Sequence, residues 1–155
     1  MSTTVYPVNV SCPIEAAFDY VAEVERHPEW ASDEMRVERL TPSELGLGTR
    51  YRTTGHSEVW NTDNVAEVEV TRYERPSAFE IVCRDAHGEF RHLFTFARGA
   101  DGRVQVERHY TVPDVVSAEA KQRVEALMVT VIEPARKAAM SNLGRRLEEI
   151  AAAAG

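Results

Sequence analysis

Residues 117–150 read SAEAKQRVEALMVTVIEPARKAAMSNLGRRLEEI. Within them Val124, Leu127, Met128, Val131, Ile132, Ala135, Ala139, Leu143, Leu147 and Ile150 recur at spacings of three and four, the stripe of one long amphipathic helix. Lys121, Arg123, Glu125, Lys137, Arg145, Glu148 and Glu149 occupy the opposite, water-facing side. Ser117 suits the N-cap, and Glu119 adds a favourable charge to the first turn. At a rise of about 1.5 Å per residue the helix is roughly 50 Å long. Pro134 lies inside it and cannot donate to the Thr130 carbonyl, which predicts a bend there. No other segment offers a helix long enough to cover this stripe. A long, bent helix needs a long, curved partner, and the remaining chain reads as a sheet.

The bulk composition is that of a soluble globular chain: 155 residues, 43% apolar and 28% charged. That length predicts one domain spanning residues 1–155. A net charge of −7 with no Lys/Arg cluster argues against a nucleic-acid surface. No apolar run approaches a membrane span and no signal-peptide pattern opens the chain, so a cytoplasmic location is expected. Cys12 and Cys83 fit no metal spacing and read as reduced thiols.

In chain order, Tyr6, Val8 and Val10 alternate as a first strand, and Pro13 is placed to open a helix. Ile14, Ala17, Phe18, Val21 and Val24 form that helix's stripe, and His27-Pro28-Glu29-Trp30 should start a second short turn. Val37 and Leu40 mark a strand. Gly46 and Gly48 punctuate the approach to the next one, Thr49 to Gly55, with no helix following to make a phosphate loop. From Trp60 onward strand follows strand with short turns, the pattern of an antiparallel meander. A two-residue turn at Ala86-His87 sets Cys83 opposite Phe90, Ile81 opposite His92 and Phe79 opposite Phe94. The same parity turns Trp60, Thr62 and Asn64 inward with Tyr51 and Thr53. The expected fold is α+β: a curved antiparallel sheet of about seven strands around a long C-terminal helix, with two short helices after the first strand. Ala151 to Ala154 should fray at the end of that helix.

This order, together with Val21-Ala22-Glu23-Val24-Glu25-Arg26-His27-Pro28-Glu29-Trp30 following Phe18-Asp19-Tyr20 and with Gly46-Leu47-Gly48-Thr49 before a strand, resembles the START-like (Bet v 1-type, helix-grip, SRPBCC) superfamily. It is most similar to the bacterial polyketide cyclase/dehydrase and lipid-transport branch. The resemblance covers nearly the whole chain. It implies a hydrophobic cavity between sheet and long helix, and it leaves activity open, because the superfamily spans carriers, cyclases, hydrolases and chaperone activators.

The informative inward residues are the polar ones: Tyr51, Thr53, Asn64, His92, Arg108 and Tyr110. A buried charge is costly without a partner, so Arg108 needs a carboxylate, a way out to the rim, or a ligand. His92 falls opposite either Arg108 or Tyr110, and a neighbouring guanidinium would keep its ring neutral. His92, Arg108 and Tyr110 are therefore the candidates for orienting a ligand oxygen or moving a proton. The structural alternative has His92 bonded to Tyr110 and Arg108 snorkelling to the rim. Trp30, Trp60, Ile81, Phe94, Leu127, Met128 and Val131 complete the expected lining, with Tyr51 and Asn64.

His87, Glu89 and His92 do not make a metal site, because His87 lies in a turn and Glu89 points away from His92. No cofactor is expected. Three functions follow: binding of a lipid, polyketide or aromatic molecule; a cyclase, aromatase or dehydratase using the inward polar residues; or a stress or chaperone-related interaction module using the sheet's outer face. The expected partner is a hydrophobic small molecule, with a homodimer left open.

Overall fold

The computed structural model describes residues 2–32, 34–57, 60–112 and 117–154. Strand β1 (Ser2–Val10) leads into α1 (Ile14–Ala22) and a 3-10 turn (Val24–Glu29). Six strands follow: β2 (Arg36–Arg39), β3 (Arg50–Ser57), β4 (Thr62–Glu74), β5 (Ala78–Asp85), β6 (Gly88–Arg98) and β7 (Val104–Val112). The C-terminal helical segment comprises α2 (Ala118–Leu127), a π turn (Met128–Ile132) and α3 (Glu133–Ala154). All strand pairs are antiparallel in the order β1-β7-β6-β5-β4-β3-β2, so the meander runs sequentially and β1 returns beside β7. This is the helix-grip arrangement expected from the alternation.

The register of the β5–β6 hairpin is the one its two-residue turn dictates, with Phe79, Ile81 and Cys83 opposite Phe94, His92 and Phe90. β4 is less regular. It begins at Thr62, which keeps the inner-face parity of Asn64 and Ala66 but is exposed, and a bulge inserts Thr71 between Val70 and Arg72. A bulge adds one residue to one strand, so the inward set continues at Tyr73. Phe18 of α1 packs edge-on against Tyr73 and Phe79 and tilted against Phe96, closing one end of the sheet. The turn around His27 and Pro28 ends at Glu29, with Trp30 just beyond it, rather than starting there.

The long helix departs from the sequence expectation in one respect. Pro134 does not simply bend it; the disturbance lies one turn upstream, where the Glu133 amide reaches back five residues to the Met128 carbonyl. A π turn of this kind absorbs the missing Pro134 amide and the crowding of its ring. The wider turn also rotates the face that follows. Ala135, expected inward, is exposed, and the inward sequence instead runs Ile132, Arg136, Met140, Leu143, Leu147. Ser117 caps α2 as expected, accepting from the Ala120 amide at 3.2 Å. Helix α3 continues through Ala154 instead of fraying at Ala151.

Helix α3 crosses β1 at Gly144, where a Cβ would stand 2.7 Å from Val8 Cγ2. Helix propensity favours alanine over glycine by about 1 kcal/mol, whereas overpacking against a stiff β-branched side chain costs about 1–3 kcal/mol. Gly144→Ala therefore lowers the melting temperature. Val8→Ala in the same chain relieves the clash and recovers part of the loss, and a melt of the single and double variants checks both.

Candidate functional site

The register builds the site as rows across the inner face. One row runs Tyr73, Phe79, Phe94, Arg108, Tyr6, and the next runs Val70, Ile81, His92, Tyr110, Thr4. Cys83 and Phe90 form the row beyond. Phe79, Phe94 and Tyr6 are buried, so the first row is solid core over most of its length. A cavity of about 290 Å³ opens beyond it, bordered by His92 and Tyr110, walled by Ala66, Cys83, Phe90 and Met35, and roofed by Ala120, Val124 and Arg136 from the helical segment. Its other end is polar, with Asn64, Asp85, His56 and His87.

Arg108 sits below the cavity and reaches up to His92. Its Nη2 is 2.8 Å and its Nε 3.3 Å from His92 Nδ1. A guanidinium can only donate, so Nδ1 accepts and the ring proton resides on Nε2. Burial, and after it the Arg108 and Arg136 charges, hold His92 well below the usual histidine range. The Tyr110 ring meets His92 edge to face at 4.6 Å, an aromatic contact rather than a hydrogen bond. Arg136 lies flat over Tyr110, 3.5 Å from the ring centroid, and donates to the Tyr6 hydroxyl at 3.3 Å. Burial lowers Arg108 to about 10, so it remains a cation at neutral pH. Burial also pushes the Cys83 thiol up to about 12, which leaves it protonated and a poor nucleophile.

At the outer end Asp85 is saturated: it accepts from Asn64 Nδ2 at 3.0 Å and from the His87 and Gly88 amides at 2.8 and 3.2 Å. Trp60 stacks on His87 with centroids 3.9 Å apart, and the Arg123 guanidinium lies 4.9 Å from the same indole. That stack links α2 to the β5–β6 turn. No group of three or more metal-ligating side chains comes together among the described residues.

Of the residues expected to line a site, Trp60, Asn64, His92 and Tyr110 border the cavity, and Arg108 touches His92 from beneath. Trp30, Tyr51, Ile81 and Phe94 are buried in the packed core instead. Trp30 lies tilted against His27 and meets Phe94 edge-on. Leu127, Met128 and Val131 are half-buried and lie away from the cavity. Arg136 was missed because strict helical spacing put Ala135 inward. Asp85 and His87 were missed as turn residues, though both continue the Phe79–Ile81–Cys83 hairpin. Chemically, the Nε2–H of His92, the Tyr110 hydroxyl and the Arg136 guanidinium are three donors near one end of a cavity whose wall includes the apolar Ala66, Cys83, Phe90 and Met35. Such a set stabilises an oxygen carrying full or developing negative charge. It does not supply a base, because the one imidazole lone pair is engaged by Arg108.

Comparison with known proteins fits this geometry. Residues 1–148 match the family described as polyketide cyclase / dehydrase and lipid transport. The chain belongs to that family. No curated protein matches the sequence. Among solved structures, TTHA0849 from Thermus thermophilus is similar with a TM-score of 0.68 at 12% identity, covering 96% of this chain and 99% of that one. The di-domain ARO/CYC StfQ from the steffimycin biosynthetic pathway has a TM-score of 0.65 at 14% identity, over 95% of this chain and 45% of its own. Ara h 8.0201 has a TM-score of 0.57 at 13% identity, over 90% of this chain and 98% of its own. At these identities the likeness is one of fold.

The buried His27 makes stability depend on pH. His27 donates from Nε2 to the Val21 carbonyl at 2.8 Å, and burial lowers it from 6.5 to about 4. The unfolded chain protonates near 6.5 while the folded chain stays neutral to about 4. Stability is thus complete above pH 6.5 and falls as the pH drops towards 4, by about 3 kcal/mol for this group. The His27 ring signals in a proton NMR titration hold their neutral positions to about pH 4. Denaturant melts of His27→Gln, whatever its absolute stability, show a shallower decline over the same window.

Proposed function

We propose that the chain binds a small apolar molecule with one oxygen-bearing end, in the cavity between the sheet and the C-terminal helical segment. The observation that carries this reading is the distribution of chemistry around the cavity: an apolar wall of Ala66, Cys83, Phe90 and Met35, with donors gathered at the His92–Tyr110 end. Ligand pockets are mostly apolar with a few placed polar groups that fix orientation. A volume of about 290 Å³ is at the small end of such pockets. It suits a compact ring compound better than a lipid with two long chains.

Cyclase or dehydratase chemistry receives less support from the same residues. Enolisation needs a base as well as an oxyanion site, and His92 is committed to Arg108. A protein-interaction role for the outer face has less support still. Arg84 pairs there with Glu89, and Arg91 with Glu80 and Glu89, the pattern of a solvated surface.

Native mass spectrometry followed by denaturation, and a thermal-shift screen of ring compounds, test the proposal. A compound retained by the purified protein, or one raising its melting temperature, is the expected outcome. Ala66→Phe fills the cavity from β4 and abolishes that binding while leaving the fold melt cooperative. Unchanged binding in Ala66→Phe would refute this location.

A further inference from the structure

Twelve of the chain's arginines, among them Arg26, Arg75, Arg103 and Arg146, are ion-paired with carboxylates. Arg108 and Arg136 are not, among the described residues. They flank the same His92–Tyr110 pair, and each depends on neutral neighbours: Arg108 on His92 Nδ1 and the Phe94 and Trp30 faces, Arg136 on the Tyr6 hydroxyl and the Tyr110 face. Among the described residues the one carboxylate bordering the cavity, Asp85, is held at the opposite end by three donors. Two like charges in a low-dielectric interior without a counter-ion raise each other's cost, and an anion placed between sheet and helix would relieve it.

From this geometry we infer that the inner end of the cavity is an anion site, and that the ligand is an apolar carboxylate whose charged end contacts Arg136 beside His92 and Tyr110. The inference rests on the binding reading above and narrows it. Arg136 is the group that contacts the carboxylate, since it borders the cavity and has guanidinium donors to spare beyond the one given to Tyr6. Arg108 is a positioning residue. Its bond to Nδ1 fixes the tautomer that leaves Nε2–H as a donor, so His92 can receive an oxyanion and cannot take its proton. The opposite arrangement, a ligand ammonium at this end, would meet two cations and, among the described residues, no acceptor carboxylate.

The test compares naphthoate with its neutral isostere naphthamide and with the cation naphthylmethylammonium, by isothermal titration calorimetry on the full chain at neutral pH. Naphthoate should bind roughly ten- to a hundredfold more tightly than naphthamide, as a charge-assisted bond to a half-buried guanidinium predicts. The ammonium should not bind. Arg136→Gln should bring naphthoate and naphthamide to equal affinity, and Arg136→Lys should keep part of the preference. Equal binding of the two by the unaltered protein overturns the inference while sparing the binding proposal, and a preference undiminished in Arg136→Gln overturns the assignment to Arg136. Binding of none of the three overturns the carboxylate inference, and retention of an unrelated apolar compound in the native mass spectrum would still uphold the cavity. If Arg136→Gln fails to fold, the Arg136 Nε–H resonance of the unaltered protein decides. It shifts with naphthoate and not with naphthamide, and an unmoved resonance rejects the contact.

Discussion

The amide that Pro134 lacks sets the geometry of the cavity end. A helix pressed along a curved sheet must present an inward face over its whole length, and strict 3.6-residue periodicity would carry that face past Ala135. The π turn at Met128–Ile132 resets it, so that Ile132, Arg136 and Met140 follow one another inward. One backbone irregularity thus decides whether an alanine or an arginine faces Tyr110. The same turn divides the helical segment into two parts with different duties. α3 is packed along β1 as closely as Gly144 allows, whereas α2 buries only Ala120.

The sheet was far more legible from sequence than the site. Alternation has a period of two, and a two-residue turn leaves little freedom of register, so the pairing of His92 with Ile81 followed directly. The choice between Tyr110 and Arg108 as the other neighbour of His92 depended on the length of the β6–β7 loop, and parity allowed both; the structure pairs it with Tyr110. Arg108 then falls one row deeper, where it bonds to His92 from beneath instead of reaching the rim. Tyr51, Ile81 and Phe94 are on the inner face as alternation requires, yet they are core. Facing inward and facing a cavity are different properties, and only the three-dimensional spacing of sheet and helix separates them. Arg136 was invisible because the local period changed at a place where periodicity was the only signal.

The polar residues of the interior divide by what satisfies them. His27 is closed off by the Val21 carbonyl and the Trp30 ring, and Asp85 by three donors from its own neighbourhood. Arg108 and His92 satisfy one another in part, at the cost of removing the imidazole lone pair at this end of the cavity. The result is an interior rich in donors and poor in free acceptors at one end. That asymmetry is what would orient the proposed ligand, and it comes from three strands and one helix converging on a single pair of rows.

Because α2 buries a single alanine, little of the folding free energy resides in it. Val124 and the Arg123–Trp60 contact can therefore change without weakening the packing of α3 on β1. If the cavity holds the proposed ligand, the part of its wall that α2 supplies, Ala120 and Val124, is separable from the part that keeps the protein folded. Ligand preference can drift over evolutionary time on α2 alone, while the anchor at Gly144 and the charged end at Arg136 stay fixed.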